Sequence, residues 1–203
     1  MAQFALVESG SVTKLLNGNQ GIKIGDYNYP TDIYTKWTEA ERNNIGIYTI
    51  ENDDTNFKNQ KWYINTAVSY SFGSGKVTAS YGSATARAHA DTLFTQADED
   101  NGLGTKDDVK EKGLKSILIQ QIKDQAKYIL DETDWYITRK AEESTAVPSA
   151  ITTHRQAVRS KQASMETAIT NASDTAALET LYKYTEQEDG SVTRPLGELP
   201  TLS

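Results

Sequence analysis

The chain has 203 residues and a net charge of -7, and it contains no cysteine and only two histidines. Disulfides, zinc-thiolate sites and thiol nucleophiles are therefore excluded. The acidic balance disfavours nucleic acid, and the most basic stretch, 155–161, fits a solvated helix face better than a nucleic-acid site. No stretch reaches the roughly 18 apolar residues of a membrane span, so we expect no membrane partner. Residues 1–8 lack a signal peptide's apolar run, which favours synthesis in the cytoplasm.

The first part of the chain is predicted to be rich in β-structure. Two β-favouring runs, 4–8 and 12–16, flank a turn that contains glycine, and they predict an opening hairpin. Alternation of apolar and polar residues predicts a third short strand at 22–24. Pro30 has no amide hydrogen for a ladder, so the aromatic stretch around it is expected at a sheet edge or in a loop.

A short helix and two hairpin strands are predicted next. Thr38 and Glu41 have the spacing of a capping box at a helix start, and a strand is predicted at 45–50 after an Asn-Asn pair. Residues 67–72 alternate small or polar side chains with larger apolar ones, and a Gly-Ser-Gly turn leads to 76–81. This pattern predicts the clearest hairpin of the sequence.

Near Gly82 the composition changes to alanine and long polar side chains, which is typical of a passage into helix. A helix is predicted at 84–97, closed by an acidic turn at 98–104. The longest helix is predicted to start at Thr105, with an apolar stripe that continues to residue 130.

Three further breaks divide the rest of the chain. The polar pair 133–134 predicts a kink or a new helix, and a helix is predicted at 149–171 after a Pro-containing break. A last helix is expected to be capped by Ser173 or Asp174. Beyond residue 186 the chain becomes polar and then alternates Leu with Pro, Gly and Glu.

These elements predict an α+β protein. It would consist of an N-terminal antiparallel β-rich domain with hairpins (1–82), a C-terminal helical bundle or helical hairpin (83–186) and an extended C-terminal arm (187–203). One hypothesis for the arm is that it straps onto a neighbouring subunit.

The residues that carry chemistry form no recognisable catalytic, metal or cofactor motif. His89 and His154 lie on predicted helices far from a strained Gly-flanked serine, and His154 is interpreted as a helix-surface residue. The acidic stretch 98–102 resembles a calcium loop only superficially, because the twelfth position holds Val109 instead of a glutamate. No phosphate-binding glycine loop occurs. We therefore expect no cofactor, no metal and no catalytic residue.

Two alternatives to this interpretation are weaker. The aromatic residues Tyr128, Trp135 and Tyr136 could form a stacking platform for a sugar or base, but beside an apolar helical stripe they are interpreted as packing residues. An enzyme that acts on cell-wall glycans would need two facing carboxylates, and pairs such as Glu142 and Glu143 occur in any acidic sequence. The sequence favours a protein that works through its surfaces.

Several short segments resemble a known group of proteins. The segments are 4–7 with 10–12, 38–42 with 45–48, and 133–139 followed by Pro148 and 153–159. The chain resembles small tail-associated proteins of tailed bacteriophages, especially marine ones. Its C-terminal helical part is similar to phage tail-fibre assembly proteins.

The resemblance implies a virion component or a morphogenesis helper that is made in the cytoplasm of the infected bacterium. Its implied partners are other phage structural proteins of the tail, fibre or adaptor, together with further copies of itself, and it implies no cofactor. Trp135 and Tyr136 would anchor a helical hairpin, and Arg139 and Arg155 would pair with acids across it. The alternative is that these four residues only stabilise the fold. Two hypotheses remain open: a structural protein of the virion tail, and a tail-fibre assembly chaperone that is absent from the finished particle.

Overall fold

The computed structural model describes residues 3–202 and has an α+β fold, which confirms the predicted class. A curled, mainly antiparallel sheet lies in the N-terminal part, and helices lie in the C-terminal part. Met1, Ala2 and Ser203, which belong to the predicted first domain and to the predicted arm, lie outside the described residues. The chain divides into two compact units between Thr85 and Ala86.

The first unit consists of short strands joined by turns. Its regular elements are β1 (Phe4–Glu8), β2 (Ser11–Leu16), β3 (Ile22–Ile24), β4 (Tyr27–Tyr29), a 3-10 turn (Thr31–Tyr34), α1 (Glu39–Asn44), β5 (Ile47–Asp53), β6 (Tyr63–Ile64), β7 (Val68–Gly73) and β8 (Lys76–Tyr81). A two-residue strand, β9 (Thr85–Ala86), lies at the boundary. The opening hairpin and the third strand are confirmed, and β4 ends at Pro30 as the missing amide hydrogen requires.

Five strands form one sheet in the order β2-β1-β5-β8-β7. Neighbouring strands are antiparallel except β5 and β8, which run parallel with Ile50 beside Val77. The β7–β8 hairpin turns at Ser74 and Gly75, whose φ values of 51° and 75° are both positive, as in the type I′ turns that match strand twist. The clearest hairpin of the sequence is therefore confirmed.

The core of the first unit lies against one face of β1, β2 and β5. Alternation along β1 places Phe4 and Leu6 on this face, and the Phe4 ring packs 5.0 Å from the ring of Tyr34. The buried residues of this core are Phe4, Leu6, Leu16, Ile22, Ile33, Tyr34 and Ile47.

The predicted capping box of α1 is present. The Glu41 amide donates to Thr38 Oγ1 over 3.3 Å, and the Thr38 amide donates to Glu41 Oε2 over 2.7 Å. These bonds satisfy two amide donors at the helix start. The Glu41 carboxylate accepts from both the amide and the hydroxyl of Thr38, and these two bonds lower its pKa. The following strand begins at Ile47, two residues later than predicted, because Gly46 turns the chain with a φ of 81°.

The second unit contains the long helices. Its elements are β10 (Thr92–Leu93), α2 (Gln96–Asp100), β11 (Val109–Glu111), α3 (Leu114–Asp131), α4 (Asp134–Glu143), α5 (Ser149–Asn171), α6 (Thr175–Tyr182), β12 (Thr185–Glu186) and β13 (Val192–Thr193). Both α5 and the Asp174 cap of α6 are confirmed, and a new helix starts at the 133–134 pair.

The helix predicted at 84–97 and the helix start predicted at Thr105 are wrong. The segment 88–91 is not helical, and it caps α3 from a distance: the amides of Leu114 and Lys115 donate to the carbonyls of Ala88 and His89. Asp91 accepts from the Gly113 amide over 2.7 Å and from Ser116 Oγ over 2.7 Å, and these bonds lower its pKa. The amide groups at the start of α3, which have no partner within the helix, thus bind the backbone carbonyls of 88–89 and the Asp91 carboxylate. The stretch 88–91 therefore does not form a helix of its own.

The antiparallel helices α3 and α5 form the centre of the second unit. Lys115 Nζ, near the start of α3, donates to the Thr170 carbonyl near the end of α5. Buried apolar residues recur at helical spacing: Leu114, Leu118, Ile122 and Ala126 on α3, Ile151, Val158, Met165 and Ile169 on α5, and Leu178 on α6. Among residues 3–202, no helix is both long and apolar enough to cross a membrane.

The segment predicted as an extended arm folds back on its own unit instead of projecting. It contributes to the β12–β13 hairpin, and Leu196 is only 2% exposed. The Leu196 amide donates to the Leu181 carbonyl over 3.0 Å, and its carbonyl accepts from Lys161 Nζ over 2.9 Å. Arg194 pairs with Glu198 over 2.7 Å. Over the described residues, this segment belongs to the second unit.

Candidate protein-interaction surface

Helix α4 differs from α3, α5 and α6 because none of its ten residues is buried. Trp135 is 51% exposed and Ile137 is 44% exposed. Tyr128, on α3, is 71% exposed. The interpretation of Trp135 and Tyr128 as packing residues is therefore wrong, because an aromatic residue beside an apolar stripe can also lie at the outer edge of that stripe.

Three side chains of α4 stack on one another. The ring centroids of Trp135 and Tyr136 lie 3.8 Å apart at an interplanar angle of 32°. The guanidinium carbon of Arg139 lies 4.7 Å from the Trp135 ring centroid and 5.5 Å from that of Tyr136. We call Trp135, Tyr136 and Arg139 the aromatic shelf. Cation–π attraction holds the guanidinium on the rings at one helical turn from Trp135.

Arg139 is not paired with a carboxylate in the part of the chain that the structure describes. Its Nε atom is buried and has no hydrogen-bond partner, and Glu143 follows at i+4 in the less favourable order of base before acid. The acid pair that the resemblance implies for Arg139 is therefore not formed within residues 3–202. The rings, and not an anion, position this guanidinium.

Arg155 does pair with an acid, and it fixes the base of α4. Its side chain lies in α5 and is 7% exposed. One terminal nitrogen donates to the Leu130 carbonyl over 2.7 Å and to Thr133 Oγ1 over 2.6 Å, and the other pairs with Asp134 Oδ1 over 2.7 Å. The guanidinium thus joins the end of α3 and the start of α4 to α5. We call this group the Arg155 clamp.

The clamp satisfies polar groups that would otherwise be costly to bury. Thr133 is buried, and its hydroxyl also donates to the Leu130 carbonyl over 3.0 Å. A buried guanidinium is stable only when its donors are satisfied, and three acceptors meet it here. The interpretation of 155–161 as a solvated helix face is therefore wrong for Arg155. The sequence held a signal for its burial, because Arg155 lies at the helical period of Ile151 and Val158.

The acidic turn has a structural role. Asp98 accepts from the Thr95 amide over 2.9 Å and completes a capping box at the start of α2. Its carboxylate also accepts from Lys110 Nζ over 2.7 Å, and these hydrogen bonds lower the pKa of Asp98 to about 2. In the described range of the chain, no three His, Asp or Glu side chains are grouped to hold a metal ion.

The histidines occupy different environments. His154 is buried, which corrects its interpretation as a helix-surface residue. It lies between Ile151 and Val158 on the stripe of α5 that faces the core, so helical period explains its burial. His89 is partly exposed in the segment that caps α3.

Two open grooves lie along the helices of the second unit. One has a volume of about 630 Å³ and lies beside α5, with Leu130, Arg159, Gln162, Ala163 and Glu166 among its lining residues. The other has a volume of about 560 Å³ and is lined by Asp124, Gln125, Tyr128, Ile129, Glu198 and Leu199.

Comparisons with protein-family models, with curated proteins and with solved structures found no match to this chain.

Proposed function

We propose that this protein is a non-catalytic structural component of a bacteriophage tail or of its fibre attachment, and that it acts through protein–protein contacts. Helix α4 is the proposed contact element. The observation that carries the proposal is the exposure of the whole of α4, with Trp135 half exposed at its start.

An isolated helix of ten residues is marginal in water, because most helical stability in proteins comes from tertiary packing. The structure fixes α4 at its base through the Arg155 clamp and leaves its sides open. Tryptophan, tyrosine and arginine are the residues that most often dominate binding energy at protein interfaces. All three occur together on the aromatic shelf, so a partner that covers α4 would bury a large apolar area.

The assignment to a phage tail is supported by the resemblance to small tail-associated proteins, which is carried by 4–7 with 10–12, 38–42 with 45–48, and 133–139 followed by Pro148 and 153–159. On this proposal the chain is made in the cytoplasm of the infected bacterium and resides in the virion. Its partners are other structural proteins of the tail, fibre or adaptor, and it is present in several symmetry-related copies. It needs no cofactor, membrane or nucleic acid for this role.

A second candidate is a tail-fibre assembly chaperone that does not remain in the particle. The similarity of the helical part, and of 133–139 in particular, to tail-fibre assembly proteins favours this role. The aromatic shelf would then hold fibre chains only until they assemble.

Mass spectrometry of purified particles separates the two candidates. Peptides of this chain at a constant ratio to known tail proteins are expected for a structural component. Their absence from particles, together with recovery of the chain in complex with unassembled fibre protein, would support the chaperone. Absence from both fractions would overturn both candidates.

A further inference from the structure

The aromatic shelf carries a positive charge that has no anion. Arg139 lies over two rings and contacts no carboxylate within residues 3–202, and no ion pair is formed by the next residue, Lys140. Two acids of the same helix, Glu142 and Glu143, are within sequence reach of Arg139 and are not paired with it. The helix therefore presents a positioned cation instead of neutralising it internally.

We propose that the aromatic shelf binds an acidic segment of a partner protein, which places a carboxylate on Arg139 and an apolar side chain on Trp135. The inference rests on the proposed function, in that α4 is taken as the contact element. Beyond that function, it specifies the chemical character of the partner segment that α4 contacts.

Stacking prepares Arg139 for this role. The cation–π contacts with two rings restrain the Arg139 guanidinium, whose planar fork of N–H groups matches the geometry of a carboxylate. Since the rings already restrict the side chain, less conformational entropy is lost when an anion binds. The Trp135 ring, which is 51% exposed, supplies the apolar part of the contact beside the charge.

A second copy of this chain fits the shelf less well. A two-fold axis through the shelf would bring two Arg139 side chains together, with both Lys140 side chains beside them. A helix of ten residues is about 15 Å long, and a contact between two such helices buries less than the roughly 1,200 Å² of a stable complex. A different protein that covers α4 on several sides avoids both problems.

Nucleic acid is also a poorer occupant than an acidic protein segment. The shelf has acids on both sides along the helix, with Asp134 at its start and Glu142 and Glu143 at its end. These charges repel an extended row of phosphates but leave room for a single carboxylate at Arg139.

Site-specific photo-crosslinking in infected cells tests the inference with the full chain. A benzoylphenylalanine at Thr138, an exposed position three residues after Trp135 on α4, lies on the side of the shelf and leaves its three residues intact. We expect it to crosslink to a partner segment with Asp or Glu within a few residues of the attached apolar side chain. The partner peptide is identified by mass spectrometry.

Charge variants then test the carboxylate. Arg139→Glu should lower the crosslink yield about tenfold or more, because it removes a charge-assisted hydrogen bond and adds repulsion. Arg139→Gln should lower it less, and Arg139→Lys least. The matched control is Lys106→Glu, which makes the same charge change in the loop before β11 and should leave the yield unchanged. Circular dichroism checks that each variant keeps its helix content.

The decisive result is restoration of the Arg139→Glu crosslink by an Asp or Glu to Arg change in the partner segment. Equal yields from Arg139→Glu and Lys106→Glu, a partner segment without a carboxylate, a crosslink to nucleic acid, or no crosslink at all would each overturn the inference. If particles contain the chain while Arg139→Glu is neutral, the proposed function stands and only the partner chemistry is wrong. If neither particles nor fibre complexes contain the chain, the proposed function fails.

Discussion

Arg155 is a charged side chain that is held inside the second unit by the Leu130 carbonyl, the Thr133 hydroxyl and the Asp134 carboxylate. Thr133 is buried and its hydroxyl loses a donor when the guanidinium is removed, and the Leu130 carbonyl, which also accepts from the amide and hydroxyl of Thr133, loses one of its donors. Asp134 is more exposed and can be solvated without its partner. The loss of Arg155 is therefore costly mainly through the first two groups.

Arg155→Met should lower the free energy of unfolding of the second unit by about 2 kcal/mol, since unmade bonds to buried acceptors cost about 1–3 kcal/mol and the removal of a buried charge offsets part of this. Urea unfolding followed by circular dichroism measures the change. Arg159→Met, four residues along α5 at an exposed position, is the control and should change stability by less than about 0.5 kcal/mol. Equal effects of the two substitutions would show that the clamp contributes nothing.

Asp98 couples the second unit to pH in a defined direction. The Lys110 ammonium and the Thr95 amide and hydroxyl lower its pKa to about 2 from an ordinary value of 3.8. A carboxylate with a lowered folded-state pKa stabilises the fold above its unfolded value and loses this contribution as pH falls towards the folded value. Between pH 4 and pH 2, Asp98→Asn should therefore lose less stability than the unchanged chain, as measured by urea midpoints at several pH values. Parallel pH profiles would contradict this assignment.

At the level of elements, local signals predicted those helices and hairpins whose boundaries are set by neighbouring residues. The capping box of Thr38 and Glu41, the Gly-Ser-Gly turn at 73–75 and the Pro-bounded helix 149–171 each needed only a few adjacent side chains. The segment 84–113 did not follow this rule. Its composition favours helix, but its backbone is used to cap α3 through bonds that join residues 22 or more positions apart.

The candidate surface was predicted only in part, for a related reason. The resemblance pointed to Trp135, Tyr136, Arg139 and Arg155, and all four lie at or near α4. Helical periodicity cannot tell whether an aromatic residue at the edge of an apolar stripe is covered, because the cover is another element. The exposure of Trp135 and the burial of Thr133 could thus be determined only from the structure.

The C-terminal segment gives an element-scale prediction. Leu196 is buried, whereas Leu202 is 47% exposed, so the two leucines form a matched pair. Leu196→Ala should lower the stability of the unbound protein by about 3 kcal/mol through lost burial and a cavity, and Leu202→Ala should change it little. Thermal melting at low protein concentration measures both. An unchanged melt for Leu196→Ala would mean that the segment leaves its own unit in solution and straps onto a neighbouring subunit.

For the whole molecule, the proposed function assigns folding and assembly to different residues of the second unit. Buried apolar side chains of α3, α5 and α6 stabilise the fold, the Arg155 clamp fixes the start of α4, and no residue of α4 is buried as a whole. A protein in which α4 had only a structural role would lose stability when its largest side chain was removed. A protein in which α4 is a contact element would lose assembly instead.

Trp135→Ala distinguishes these cases. Its cost to the unbound chain should stay near 1 kcal/mol or below, because Trp135 is half exposed and gives up only the stacking on Tyr136 and the cation–π contact with Arg139. Incorporation into particles, or binding to fibre chains, should fall at least tenfold, since a central tryptophan at an interface typically contributes 2 kcal/mol or more. Tyr128→Ala, which removes a more exposed aromatic residue from α3, is the control for lost surface area and should leave incorporation intact. If Trp135→Ala melts much earlier but assembles normally, α4 serves the fold and the contact surface must lie elsewhere on the chain.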